Sequence, residues 1–218
     1  MTSKPTLGIV AALLFVVWPE LAWTAEVAVV DRSGRPLPDA VVELSWPAGQ
    51  LPAALPNGPP SEAMIDQRHE TFLPLVTVIR SGGHVIFTNN DTTMHQVYSF
   101  SPTKQFAFEI DEGQRSAPVV FDKPGIAAIG CNIHDQMITY VYVAENRLAA
   151  KTGHEGVALF ADLPPGNYRG TVWHPQLAPG AAPRAFAFAI AREDSKTVVA
   201  LPVAGTEPAK KNMHMQMY

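Results

Sequence analysis

Gly130-Cys131-Asn132-Ile133-His134-Asp135-Gln136-Met137 joins two apolar runs, residues 126–130 and Ile138–Ala144. Each run is short and flanked by turn signals, so the pair reads as two strands joined by a tight loop. Cys131 closes the first strand, Met137 opens the second and His134 stands midway. A thiol, an imidazole and a thioether therefore recur at spacings of three, and a loop folded back on itself can aim all three at one point. Met94-His95-Gln96-Val97, 36 residues before the cysteine, puts a second imidazole at the mouth of an earlier strand.

The same texture extends in both directions. No stretch after residue 25 holds helical periodicity for twelve residues. Strands are expected at 26–31, 40–45, 75–80, 84–89, 96–101, 119–122, 126–130, 138–144, 157–161, 167–174, 184–191 and 197–202. Alternation is clearest in Phe186-Ala187-Phe188-Ala189-Ile190, where large side chains share one face and small ones the other. Ser33-Gly34, Ser81-Gly82-Gly83, Lys123-Pro124-Gly125 and Pro164-Pro165-Gly166 mark turns between them. Twenty of the 218 residues are proline, nearly twice the usual share of about 5%, which argues against a helical bundle. The fold class is all-β and sandwich-like. A net charge of −4 provides no basic surface for nucleic acid.

Residues 1–25 read as an export signal. Lys4 precedes an apolar run over 7–18, Pro19 and Glu20 end it, and Ala22-Trp23-Thr24-Ala25 offers a small residue for cleavage. A membrane span needs about 20 apolar residues, so the run is short for one. The rival reading is an uncleaved N-terminal anchor, since Trp23 is large where a small side chain is preferred. The expected location is periplasmic or secreted. Cys131 is the chain's one cysteine, so no disulfide can form within it, and outside the cytosol a free thiol invites oxidation. It is either an inert core thiol or a ligand.

One thiolate, two imidazoles and a weak thioether are the ligands of a type 1 copper site. His95, Cys131, His134 and Met137 supply that set. Zinc could use the thiolate and the imidazoles but has no need of the thioether. His69, His84, His154 and His174 have no ligand spacing around them and are expected as surface or satisfied core residues.

These stretches resemble the cupredoxin family. Cys131-x2-His134-x2-Met137 has the spacing of its amicyanin and pseudoazurin members. The run His95-Gln96-Val97-Tyr98-Ser99-Phe100-Ser101-Pro102 is similar to the cupredoxin-domain group labelled methylamine utilization proteins. The resemblance implies a Greek-key β-sandwich over 60–145 with one copper held by His95, Cys131, His134 and Met137. It also implies that Asn89 braces the ligand loop. Gln96 departs from the family's usual asparagine, so a side-chain brace between the two ligand loops is expected to be lost. Ile133 departs from the usual proline and keeps a backbone N–H that can reach the Cys131 sulfur, as can that of Gln96.

The flanks carry a second resemblance. Val29-Val30-Asp31-Arg32-Ser33-Gly34-Arg35-Pro36-Leu37-Pro38-Asp39-Ala40 and Leu163-Pro164-Pro165-Gly166-Asn167-Tyr168 are similar to the two halves of carboxypeptidase-regulatory-like, transthyretin-like β-sandwiches. Residues 26–50 and 146–204 are therefore expected to form one discontinuous sandwich into which the copper module is inserted. The proline-rich 47–60 serves as linker. The tail, 205–218, carries Met213-His214-Met215-Gln216-Met217, a soft donor cluster or an accident of composition.

The sequence holds no His-Glu-x-x-His, Gly-x-Ser-x-Gly, phosphate-loop or Gly-x-Gly-x-x-Gly motif, and four protein ligands leave no open position for substrate. The expected function is a one-electron carrier, not an enzyme. Its expected partner is a redox protein such as a dehydrogenase or a cytochrome, with no nucleic acid and no membrane beyond the signal. Two alternatives stand beside it: a copper chaperone or buffer using the tail, and a structural or ligand-binding sandwich with secondary copper. Deleting residues 212–218 separates the first alternative from the carrier, because only a chaperone should lose copper transfer.

Overall fold

Large residues on alternate positions of a strand become one buried face of a sheet, and this protein is assembled from such faces. The computed structural model describes residues 24–46, 58–191 and 195–204; residues 1–23 of the expected signal, most of the proline-rich linker and the whole Met/His tail lie outside them. The described residues contain sixteen strands and no α-helix. They are β1 (Thr24–Val30), β2 (Val41–Ser45), β3 (Glu62–Gln67), β4 (Phe72–Leu73), β5 (Val76–Arg80), β6 (Gly83–Asn89), β7 (His95–Ser101) and β8 (Lys104–Ile110). Then follow β9 (Val119–Phe121), β10 (Gly125–Cys131), β11 (Ile138–Ala144), β12 (Leu148–Lys151), β13 (Val157–Ala161), β14 (Gly166–Trp173), β15 (Arg184–Ile190) and β16 (Ser195–Ala200).

The strands form four sheets: β13-β1-β16, β12-β2-β14-β15, β5-β11-β10-β7-β8 and β4-β3-β6-β9. The first two enclose a core of Val27, Val29, Leu44, Leu163, Tyr168, Val172, Phe188 and their neighbours. The last two enclose another, with Ile65, Phe87, Val97, Phe121, Ile129, Cys131, Met137 and Val141. All strands of the second pair fall between residues 62 and 144, while those of the first pair lie on either side. A smaller cluster of Val41, Val76, Tyr142, Ala144 and Trp173 joins β2 and β14 to β5 and β11. The all-β class read from the sequence is therefore the observed one. Thr24 and Ala25, the last residues of the expected signal, open β1, where Ala25 is buried opposite Phe160 and Ser195.

The alternation over 186–190 is realised in β15, with Phe188 and Ile190 buried and Ala187 and Ala189 exposed. Opposite Phe186 in the register stands Gly170, where an added Cβ would lie 2.4 Å from the Phe186 ring and 2.8 Å from Leu44. Gly170→Ala is accordingly expected to cost about 1–3 kcal/mol through overpacking, read as a lower midpoint in chemical denaturation. His174 is a satisfied core histidine, as expected. One ring nitrogen faces the Pro38 carbonyl at 3.2 Å and the other accepts the Gln176 N–H, while burial holds the imidazole below its usual range. His84 pairs with Glu62 at 3.2 Å, and His69 and His154 are exposed.

Candidate metal centre

Three strand ends meet at one end of the second sandwich. β7 begins with His95, β10 ends with Cys131 and β11 begins just after Met137. Antiparallel pairing sets Cys131 beside Val97, which brings the neighbourhood of His95 against the cysteine despite 36 intervening residues. Gly130, paired with Tyr98, leaves room for that ring to lie across β10; a Cβ there would approach it to 2.9 Å.

Backbone hydrogen bonds hold the connecting loop. Met137 N–H donates to the His134 carbonyl (3.0 Å), Cys131 N–H to that of Met137 (3.3 Å), and Asn132 N–H to that of Gln96 (3.0 Å). Gln96 also corrects a sequence expectation. Its longer amide does not remove the brace, because its Oε1 accepts the Asn132 Nδ2–H at 2.7 Å and ties the two ligand loops side chain to side chain. Asn89 braces the His95 loop as expected. Buried, it donates to the carbonyls of Thr93 (2.8 Å) and Ile110 (2.9 Å) and accepts the Asp91 N–H (2.9 Å).

The candidate ligands converge. One donor atom each from His95, Cys131 and His134 lies within 4.8 Å of the others. Cys131 Sγ stands 3.5 Å from His95 Nδ1. Bonds of about 2.0–2.3 Å from one ion would hold two such atoms about 3.3–3.8 Å apart. His95 is fully buried, Cys131 and Met137 are 2% exposed, and the His134 side chain is 19% exposed. His134 Nδ1 is buried without a hydrogen-bond partner among the described residues. A buried, partnerless ring nitrogen ordinarily costs about 1–3 kcal/mol, and ligation of an ion removes that cost. Met137 shares the core cluster of Cys131, at the far end of the loop. A thiolate with two imidazoles, and a thioether in the same core cluster, suits a borderline-soft transition ion, and these residues fit copper.

The sequence reading missed two carboxylates. Asp91 Oδ2 stands 2.8 Å from His95 Nε2, so the ring N–H donates there and Nδ1 is left as a lone pair facing the sulfur. Burial alone would raise the Asp91 carboxyl. The N–H groups of Glu70 and His69 and the His95 ring outweigh it and hold the group below the ordinary carboxylate range. Glu70 Oε1 lies 3.6 Å from His134 Nε2. Asp91 lies only four residues before His95, a spacing that could have signalled it; Glu70 comes from the β3–β4 turn, whose strands carry no clear pattern.

No protein-family model and no curated protein matches the chain. Among solved structures it is similar to a purple cupredoxin from Nitrosopumilus maritimus, at 24% identity and a TM-score of 0.33 over 38% of this chain and 99% of that one. It is similar to a mutant amicyanin in its Cu(I) form, at 16% identity and a TM-score of 0.34 over 42% of this chain and 97% of that one. A copper-containing nitrite reductase from Thermus scotoductus matches at 23% identity and a TM-score of 0.37 over 54% of this chain and 28% of its own length.

Proposed function

We propose that this chain is an exported type 1 copper protein of cupredoxin type that passes single electrons between redox partners. The observation that carries the reading is the convergence of one donor atom each from His95, Cys131 and His134, with His134 Nδ1 buried and without a hydrogen-bond partner among the described residues. Copper, when bound, supplies a one-electron couple. The chain supplies a pocket whose donors are already placed. His95 and Cys131 are fixed by buried strand ends, and the loop over 131–137 is closed by two backbone hydrogen bonds of its own and tied to Gln96 by a third. Such a pocket moves little on loss or gain of an electron, as fast transfer requires. Met137 would complete the donor set with its thioether. His134, the partly exposed ligand, is the exit, with exposed Ile133 and Met94 as apolar docking surface for a redox partner. Four protein ligands leave no position for substrate, so the site suits a carrier and not a catalyst.

The strand partition supports reading the copper module as an insertion into the flanking sandwich. The test of the function is titration of the purified chain with Cu(II). One equivalent should raise an intense visible band and make the Cys131 thiol resistant to alkylation; a colourless product with a reactive thiol would overturn the proposal.

The loop also sets the potential. If the Ile133 N–H donates to the Cys131 sulfur, it weakens sulfur donation to Cu(II) and raises the reduction potential. Ile133→Pro removes that donor, and its midpoint in a potentiometric titration is expected to fall below that of the parent.

A further inference from the structure

We propose that the β3–β4 turn is a working part of the metal centre. In it Glu70 is a positioning residue that orients His134 from outside and lowers the reduction potential of the site. The inference rests on the copper reading above and extends it to a segment that contributes no ligand.

The turn is a two-residue hairpin turn. His69 and Glu70 are its central residues, with φ of 52° and 51°, a left-handed pair that such tight hairpins require and that glycine or asparagine usually supplies. Arg68 and Thr71 close the turn by exchanging backbone hydrogen bonds at 3.0 and 3.2 Å. Asp91 holds it from outside. One of its oxygens takes the His69 N–H in a short hydrogen bond. The other takes the Glu70 N–H at 3.0 Å and meets His95 Nε2 at 2.8 Å. A single carboxylate therefore fixes both the turn and the buried ligand ring.

What the turn presents is the Glu70 side chain. Its Oε1 lies 3.6 Å from Nε2 of His134, and its Oε2 accepts a Gln136 Nε2–H at 3.4 Å. Glu70 is thus engaged with the ligand loop at His134 and again two residues beyond it. Both imidazoles face a carboxylate at Nε2, Asp91 at 2.8 Å from His95 and Glu70 at 3.6 Å from His134; at Nδ1, His95 meets the Cys131 sulfur and His134 is buried without a partner among the described residues. A carboxylate at Nε2 favours the tautomer whose proton sits there, which leaves Nδ1 free to donate. It also adds negative charge close to the ion, which stabilises the oxidised form more than the reduced one. The Glu70 side chain is 53% exposed, so solvent screens much of this effect, and substitution there does not disturb the core.

The experiment compares the full chain with Glu70→Gln and Glu70→Ala. In copper-loaded protein, both substitutions are expected to raise the midpoint, giving about threefold to tenfold more reduced protein at a fixed solution potential; tenfold corresponds to about 59 mV for one electron. In metal-free protein, nitrogen NMR of the His134 ring should show the Nε2–H tautomer dominant in the parent. It should stay dominant in Glu70→Gln, which keeps an oxygen acceptor, and weaken in Glu70→Ala. A parent that develops the visible band, with unchanged midpoint in both variants and unchanged tautomer in Glu70→Ala, overturns the role of Glu70 alone. A parent that develops no band overturns the copper reading and the claim about potential together. The tautomer of the metal-free chain then still decides whether Glu70 positions the ring.

Discussion

Cys131→Ser, loaded with one equivalent of Cu(II), is expected to lose the intense visible absorption completely and to hold the ion far more weakly. The band arises from charge transfer out of a soft thiolate, and a serine hydroxyl is neither soft nor ionised near neutral pH. The substitution is sterically mild. Cys131 is 2% exposed within a core of Val97, Ile129 and Val141, so the hydroxyl costs about 1 kcal/mol and the chain should remain folded. Thermal unfolding of the metal-free variant checks that point, and absorbance after cupric loading checks the chemistry. A folded variant that kept the band would place the colour on another donor.

The second large effect is expected far from the metal. Glu43 on β2 is 8% exposed and accepts three hydrogen bonds: from Tyr142 Oη (2.8 Å), from the Asn146 backbone N–H (2.5 Å) and from Asn146 Nδ2 (3.0 Å). It ties β2 to β11 beside the cluster in which Trp173 packs 5.4 Å from the Tyr140 ring and 6.0 Å from that of Tyr142. Glu43→Ala strands the buried Tyr142 hydroxyl and the half-buried Asn146 donors without an acceptor and should cost about 2–4 kcal/mol in denaturant unfolding. Glu43→Gln, which keeps one acceptor oxygen, should cost less than half of that. Burial, and then the charge of Glu43, push the Tyr142 hydroxyl well above the usual phenol range. Because the folded value is the higher one, this contribution to stability is complete below about pH 10 and is lost as pH rises beyond it. Glu43→Ala should therefore also flatten the alkaline fall in stability.

What the residues alone disclosed, and what they hid, follows from the range of the interactions. β11 and β13 were legible to the residue because their apolar runs are bounded by turn signals. The ligand loop was legible because its chemistry repeats every three residues within one loop, and His95 because an imidazole stands just before the strand expected at 96–101. β8 was missed although Phe106, Phe108 and Ile110 alternate, since Lys104, Gln105 and Glu109 dilute the pattern to that of a half-exposed edge. β3, β4 and β12 are short or polar and acquire their conformation from their partners. Glu70 was invisible for the same reason. Its position depends on a turn held by Asp91, and nothing in the local sequence announces a contact across 64 residues. Gln96 shows the converse error: a family preference for a shorter amide concealed that the longer one reaches Asn132.

X-ray absorption at the copper edge of the loaded, full-length chain tests the central claim most directly. The account predicts one short copper–sulfur distance and two copper–nitrogen distances from imidazoles, with that short sulfur distance absent in Cys131→Ser. A first shell of nitrogen and oxygen alone in the parent protein would contradict it.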